Sequence, residues 1–161
     1  MTKKESLKMR RKEKEIVSKA KVIKKFNEAH VCRIAFNDSP FPYIIPVHFV
    51  YIKDCFYFHS AEKGRKIDLI KKDGQICFET DKQYKILSNE KACNWSTKYE
   101  SIVGTGRAVV VEDFEEKRKA LLHLMNKYSE KINWEIPKEM IKCLSVIRVN
   151  ILSITGKSSE V

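Results

Sequence analysis

The sequence has few glycines and lacks the patterns that glycine builds at common nucleotide sites. Its 161 residues include only five glycines: Gly64, Gly74, Gly104, Gly106 and Gly156. Neither a G-x-G-x-x-G fingerprint nor a G-x-x-x-x-G-K-[ST] loop can be written from these positions. The usual dinucleotide-binding and P-loop motifs are therefore excluded.

Paired cysteines and long apolar runs are also missing. None of the five cysteines forms a C-x-x-C pair, which excludes a zinc ribbon and a thioredoxin-type motif, and the histidines show no partner pattern that suggests a metal. No stretch approaches the ~20 apolar residues of a membrane helix. No apolar segment follows the basic N-terminus, as a secretory signal would require. We therefore expect a cytoplasmic protein with reduced thiols and no membrane partner.

Basic charge is abundant but unevenly placed. The chain has 32 Lys+Arg against 21 Asp+Glu, a formal net charge of +11, yet residues 1–25 alone carry +8. Only seven of the basic residues are arginine, the type that favours bidentate recognition of phosphates and bases. We expect a mobile basic tail over residues 1–13 and a single domain over residues 14–161. Nucleic-acid binding by the tail is a weaker alternative.

Hydrophobic patterning predicts a run of strands with short helices at its start, middle and end. Helices are predicted over residues 14–27, 62–72 and 113–128, and strands over residues 31–36, 42–52, 55–59, 75–80, 99–111 and 144–154. Residues 81–98 are polar and read as irregular. Because strands do not alternate with long helices, a parallel doubly wound sheet is disfavoured. We predict a mostly antiparallel barrel with helical additions.

The densest polar constellation lies at residues 58–66, F-H-S-A-E-K-G-R-K, where a strand leads into a helix. The first turn of a helix offers free backbone N–H groups and a positive dipole end, which suit an anion. Arg65 and Lys66 would add charge-assisted hydrogen bonds. The segment therefore predicts a site for a phosphate monoester. The alternative is that both cations are ordinary solvated side chains.

A second informative segment is residues 41–51, F-P-Y-I-I-P-V-H-F-V-Y, which contains a proline inside an apparent strand. Proline cannot donate to a sheet ladder. Pro46 therefore predicts an edge, a bulge or a place where a ligand replaces strand pairing. An ordinary edge strand in the core is the alternative.

These segments, in this order, resemble a known family. The series P-Y-I-I-P-V-H-F-V-Y, F-H-S-A-x-x-G-R-K, Y-E-S-I-V-G-T-G-R and E-E-K-R-K-A-L resembles the pyridoxamine-phosphate-oxidase-related flavin proteins over residues 10–157. The branch that it resembles most is the nitroimidazole-resistance group. The resemblance implies an antiparallel FMN-binding split β-barrel, with FMN held at the interface of a homodimer.

The resemblance also implies roles for particular residues. Arg65 and Lys66 would hold the phosphate, and residues 46–49 would lie along the edge of the isoalloxazine. His59 would stand near the ring as the catalytic residue, or else serve as a hydrogen-bonded wall. The full set of cofactor-binding residues implied is Pro46, Val47, His48, Phe49, Phe58, His59, Ser60, Arg65, Lys66, Tyr99 and Ser101.

The resulting expectation is an FMN-dependent oxidoreductase that acts on small electrophilic substrates, nitroaromatic compounds among them. The flavin would supply the redox chemistry, and the protein would set its access, orientation and local charge. A non-catalytic flavin- or haem-binding protein is the alternative. Related barrels hold haem or a deazaflavin, so the residues alone leave the choice of cofactor open.

Overall fold

The computed structural model describes residues 9–131 and 133–159. Within them the chain forms strands β1 (Val31–Phe36), β2 (Tyr43–His48), β3 (Val50–Ile52), β4 (Cys55–Ser60), β5 (Gln75–Leu87), β6 (Ser96–Val110) and β7 (Ser145–Ser158). The helices are α1 (Lys19–Glu28), α2 (Arg65–Lys72), α3 (Phe114–Tyr128) and α4 (Lys138–Lys142), with 3-10 turns at Lys12–Lys14 and Ala92–Asn94. No helix in the described ranges combines the length and apolar character needed to span a bilayer.

All strand pairs are antiparallel, and the sheet order is β2-β1-β5-β6-β7-β4-β3. The turn between β3 and β4 is made by Lys53 and Asp54, whose φ angles are 45° and 64°. Positive φ at both central residues matches the twist of a two-residue hairpin. The turn falls between the strands predicted over residues 42–52 and 55–59, so the predicted boundary is confirmed.

The two edge strands of the sheet are consecutive pieces of one chain. β2 pairs with β1 and β3 pairs with β4, and only Phe49 separates β2 from β3. The sheet therefore curls until its two edges meet at Phe49, which produces a half-barrel with a split between β2 and β4. The predicted fold class, a mostly antiparallel split barrel with helical additions, is confirmed.

Aromatic side chains fill the barrel. Phe26 on α1 is fully buried, and its ring centroid lies 4.6 Å from that of Phe49, 5.5 Å from Phe56 and 5.3 Å from Phe78. Tilted and edge-on contacts at such distances suit aromatic packing. A smaller apolar cluster joins α3 and α4 to the strands and contains Val111, Ala120, Leu121, Ile141 and Val146.

Two local predictions were wrong, and one helix was missed. Residues 81–98, expected to be irregular, include the end of β5 and the start of β6, because strands exposed on both sides need no apolar alternation. The first helix, predicted over residues 14–27, begins at Lys19 after the cap Ser18 and ends at Glu28, and it buries Val22 and Phe26. The short α4 was not predicted. Of the expected tail, residues 1–8 lie outside the described residues.

Candidate functional site

The split between β2 and β4 brings two histidines onto facing strands. β3 pairs with β4 through Val50–Tyr57, and this register, continued by two residues, would place His48 opposite His59. The ladder stops before that point, since β2 turns away and His48 pairs with Val31 on β1. The two imidazoles therefore lie on either side of a gap in the sheet.

His59 carries the electrostatic signature of this gap. Burial lowers its pKa from the ordinary value, because a half-buried site disfavours the imidazolium, and the nearby His48 and Lys66 lower it further. Its imidazole is therefore mainly neutral at neutral pH. A neutral imidazole has one nitrogen that accepts a hydrogen bond or a proton.

The start of α2 lies next to this gap and carries no side-chain cap. Gly64 precedes the helix with φ 121° and accepts the N–H groups of Ile67 and Asp68 at 2.8 and 3.2 Å. A Cβ at Gly64 would meet nothing within 4 Å, so the positive φ, and not a shortage of space, calls for glycine here. The N–H groups of Arg65 and Lys66 come before the first internal hydrogen bonds and are open to a ligand.

The two cations at this helix start differ in their surroundings. Arg65 donates from Nε and Nη2 to Oδ2 of Asp38 at 2.7 and 2.6 Å, and its guanidinium lies 4.6 Å from the ring centroid of Tyr43. The guanidinium in turn lowers the pKa of Asp38. Lys66 is half-buried and has no ion pair within residues 9–131 and 133–159. Of the two, Lys66 is the cation with its charge available.

The other predicted residues of β2–β4 alternate between the core and the surface. The side chains of Phe49 and Phe58 are buried in the barrel, and Val47 packs against it. Pro46 is exposed on the edge strand, as expected from its sequence position. Ser60 is 5% exposed, and its Oγ has no hydrogen-bond partner in the described part of the chain. A buried hydroxyl without a partner is costly unless a ligand or water completes it.

An open surface cavity of about 590 Å³ lies at the same end of β4. It borders the connection from β4 to α2 and the segment between α4 and β7. Its lining residues are His59, Ser60, Ala61, Glu62, Lys63, Cys143 and Leu144. The partly exposed His59 and the unpartnered Ser60 therefore border space that a ligand can enter.

Tyr99 and Ser101 are not brought to the split within one chain. Ser60 pairs with Ser145 on β7, whereas Ser101 pairs with Lys157, twelve residues further along that strand. At about 3.3 Å per residue this amounts to about 40 Å along the strand. Tyr99 instead exchanges hydrogen bonds with Ser159 at 2.9 and 3.0 Å.

These two residues nevertheless share one face of the sheet with His48 and Pro46. Directly opposed residues point to the same face, and the pairs run without interruption across the strands from β2 to β7: Pro46–Arg33, Arg33–Glu79, Glu79–Val103 and Val103–Thr155. Ser101 and Tyr99 alternate with Val103 on β6. We call this surface the outer face. It exposes apolar side chains at Val31, Ile44 and Val103.

Sequence reasoning missed two residues that shape the site. Asp38 lies between the strands predicted over residues 31–36 and 42–52, and its ion pair with Arg65 joins elements that are distant in sequence. Tyr128 is the last residue of the helix predicted over residues 113–128. Its ring stacks on the imidazole of His48 with centroids 4.7 Å apart, and its hydroxyl reaches the backbone of Phe49. Neither contact leaves a signal in the spacing of residues.

The family model of pyridoxamine 5'-phosphate oxidase matches residues 18–158. The chain belongs to this family. The resemblance expected from the motifs is thereby confirmed. No curated protein matches the sequence significantly.

Solved structures of the family's fold superpose on nearly the whole chain. A Bacteroides thetaiotaomicron protein, whose suggested role is 5-nitroimidazole antibiotic resistance, is 27% identical, with a TM-score of 0.79 over 89% of this chain and 85% of that one. A flavocytochrome from Azotobacter vinelandii is 18% identical, with a TM-score of 0.80 over 96% and 73%. An FAD- and haem-binding protein from Mycobacterium smegmatis is 14% identical, with a TM-score of 0.82 over 92% and 74%. The last two show the fold alone.

Proposed function

We propose that this protein binds FMN at the split between β2 and β4 and acts as an oxidoreductase on small electrophilic substrates, nitroaromatic compounds among them. One observation carries the proposal: a helix start without a side-chain cap, where Lys66 has no ion pair among the described residues, lies beside two facing histidines where the sheet opens. The similarity to a protein with a suggested role in nitroimidazole resistance supports the substrate class.

The residues at the start of α2 fit a phosphate monoester. The backbone N–H groups of Arg65 and Lys66 would donate to its oxygens, and the ammonium of Lys66 would balance its charge. The hydroxyl of Ser60, which lacks a partner in the described ranges, adds a further donor at the end of β4. Arg65 would contribute mainly through its backbone, because its side chain holds Asp38.

The edge of β2 fits a flat ring. Its backbone along Pro46 and Val47 faces the split without a strand partner on that side, and a planar tricycle with a polar edge can take the place of a strand there. Bound FMN would supply the electron transfer. His59, neutral near pH 7, would accept or return a proton at an imidazole nitrogen and would wall the ring on the β4 side.

A second copy of the chain would complete the site. Tyr99 and Ser101 lie on the outer face, far from the split of their own chain, and that face exposes Val31, Ile44 and Val103. Exposed apolar side chains on a sheet face favour association. In a homodimer joined through the outer faces, Tyr99 and Ser101 of one protomer would approach the flavin of the other.

Titration of the flavin-free protein tests binding. The fluorescence of FMN is followed as it binds. We expect a dissociation constant at least about tenfold below that of riboflavin, because only FMN carries the phosphate. FAD and haem are the comparison ligands, since proteins of this fold bind them. Equal affinity for FMN and riboflavin, or no binding of FMN, would overturn the proposed site.

Turnover needs a separate measurement. The protein is loaded with FMN, reduced chemically without oxygen and mixed with a nitroaromatic compound. Reoxidation faster than that of free reduced FMN supports an oxidoreductase. Reoxidation at the rate of the free flavin identifies a flavin carrier, which is the alternative function. Light scattering of the same sample measures whether the protein is a dimer.

A further inference from the structure

We propose that Tyr128, the last residue of α3, is the positioning residue of this site: it ends the β1–β2 ladder at Phe49 and fixes His48 at the split, opposite His59. The significance of this role for ligand binding rests on the proposed flavin function. The role itself follows from the contacts of one side chain with the backbones of Phe49 and His30 and with the imidazole of His48.

The hydroxyl of Tyr128 takes the place of β1 at Phe49, because the β1–β2 register, continued by one residue, would pair Phe49 with His30. It accepts the N–H of Phe49 at 3.1 Å, and the carbonyl oxygen of the same residue lies 3.1 Å away. The N–H and C=O of one strand residue point to the same side, so a single hydroxyl covers the side that a neighbouring strand would use. The carbonyl oxygen of His30, at 2.5 Å, is the nearer acceptor for its proton.

The position of Phe49 explains why this matters. It is the one residue between β2 and β3, and the β3–β4 register would bring His48 into the ladder opposite His59 if pairing continued. A closed ladder would leave no room between the strands for a flat ligand. By bonding Phe49 and His30 on the β1 side, Tyr128 fixes the chain at the point where β2 ends and β3 begins, which is where the strands part.

The ring of Tyr128 acts on His48 directly. The two rings are nearly parallel, with an interplanar angle of 20° and centroids 4.7 Å apart. His48 is otherwise exposed on the edge strand, so this stack is what restricts the direction of its imidazole. The preceding residue strengthens the attachment, because Nζ of Lys127 donates to the carbonyl of Ala29 at 2.7 Å and lies 3.8 Å from the ring centroid of Phe49.

The test uses Tyr128→Phe, which removes the hydroxyl and keeps the ring, and Tyr128→Leu, which removes both. Tyr57→Phe is the matched control. The hydroxyl of Tyr57 also ties α3 to the barrel, through Glu116 at 3.1 Å, but makes no contact with His48. Three quantities are measured: amide exchange at Phe49, the ring-current shift of the His48 imidazole proton, and the affinity for FMN.

We expect Tyr128→Phe to speed amide exchange at Phe49, to leave the His48 shift in place and to weaken FMN binding by about threefold to tenfold, the range for a lost hydroxyl hydrogen bond. Tyr128→Leu should in addition abolish the His48 shift and weaken FMN binding further. Tyr57→Phe should leave all three quantities within about twofold of the wild type, since its hydrogen bond lies away from the split.

Three outcomes overturn the positioning role: wild-type FMN affinity in both Tyr128 variants, an unmoved His48 resonance in Tyr128→Leu, or an equal loss of affinity in Tyr57→Phe. If Tyr128→Leu fails to fold, the FMN affinities of Tyr128→Phe and Tyr57→Phe still test the positioning role. If the wild-type protein binds no FMN, the proposed function fails. The exchange and resonance measurements on the free protein then decide the positioning role by themselves.

Discussion

The N-terminal ends of helices α3 and α2 are built in opposite ways. At α3 the carboxylate of Asp113 accepts the N–H of Glu116 at 2.7 Å, and Glu115 and Glu116 put negative charge in the first turn. At α2 the cap is a glycine without a side chain, and the helix begins with two cations. The start of α3 therefore has a side-chain cap, whereas the start of α2 has none.

This difference has an electrostatic meaning. Acidic side chains near a helix N-terminus stabilise it by about 0.3–1 kcal/mol each, and cations there act in the opposite direction. Asp68 offsets part of the unfavourable charge in the first turn of α2. A bound phosphate would turn the remaining cations from unfavourable to favourable. The charge pattern of α3 thus favours the helix itself, whereas that of α2 supports the proposal that its start receives an anion.

The largest expected effect comes from Lys66→Gln. Loss of a charge-assisted hydrogen bond removes about 1.5–3 kcal/mol, so the dissociation constant for FMN should rise by about tenfold to a hundredfold. Affinity for riboflavin should stay nearly constant, because it has no phosphate. Both constants are measured by fluorescence titration.

Lys71→Gln is the matched control for this substitution. Lys71 lies on the same helix, but in its last turn, and is exposed. It should change FMN affinity by less than about twofold, as expected of a solvated surface charge. Equal losses in the two variants would show that the basic segment acts only through its overall charge, and the contrast between α2 and α3 would lose its functional meaning.

Asp113→Ala tests the other side of the comparison. Removal of an N-cap carboxylate costs about 0.5–2 kcal/mol of stability, and urea denaturation should show a decrease near 1 kcal/mol. FMN affinity should not change. Asp113→Asn keeps an acceptor at the cap and should retain most of the stability. A loss of FMN affinity in Asp113→Ala that is as large as in Lys66→Gln would erase the distinction between the two helix starts.

Local features of the fold were predictable from the sequence because they depend on neighbouring residues. The cap at Asp113, the turn at Lys53 and Asp54, and the buried Ile67 and Ile70 of α2 all follow from local chemistry and spacing. The segment proposed to bind the phosphate could be singled out for the same reason, since a strand that leads into a helix places its donors and cations close together in sequence.

The remaining features depend on contacts between distant segments. At the break between β2 and β3 the backbone of Phe49 is bonded by the hydroxyl of Tyr128, 79 residues away, and the apolar pattern of the segment continues through the break. Asp38 reaches Arg65 across 27 residues. The β5–β6 hairpin is exposed at its end and has no periodic apolar signal there. Such features follow from the folded path of the chain, and spacing within a segment carries no trace of them.

Arg65→Gln distinguishes the two cations at the α2 start. Because the guanidinium is engaged by Asp38, its removal should weaken FMN binding by less than about threefold, the range of a partly exposed ion pair. The effect should be clearly smaller than that of Lys66→Gln in the same titration. A loss as large as that of Lys66→Gln would mean that Arg65 leaves Asp38 to hold the ligand, and Asp38→Asn would then tighten FMN binding.

The smallest effect concerns the charge around His59. Its pKa in the folded protein lies below the value of about 6.5 expected when unfolded, through burial first and then through His48 and Lys66. The unfolded chain therefore binds more protons just below pH 6.5, so the free energy of unfolding should fall as the pH drops through that window and level off below the folded pKa. His48→Gln removes one of the repelling groups.

We therefore expect the pKa of His59 to rise in His48→Gln, measured by an NMR titration of its imidazole proton, and the acid-induced loss of stability to shrink. His59→Gln should remove that share of the loss altogether, and His123→Gln on the exposed face of α3 should leave it unchanged. If His48→Gln leaves the pKa of His59 where it was, the two imidazoles do not face each other across the split. The start of α2 would then lack the facing histidines that distinguish it from the capped start of α3.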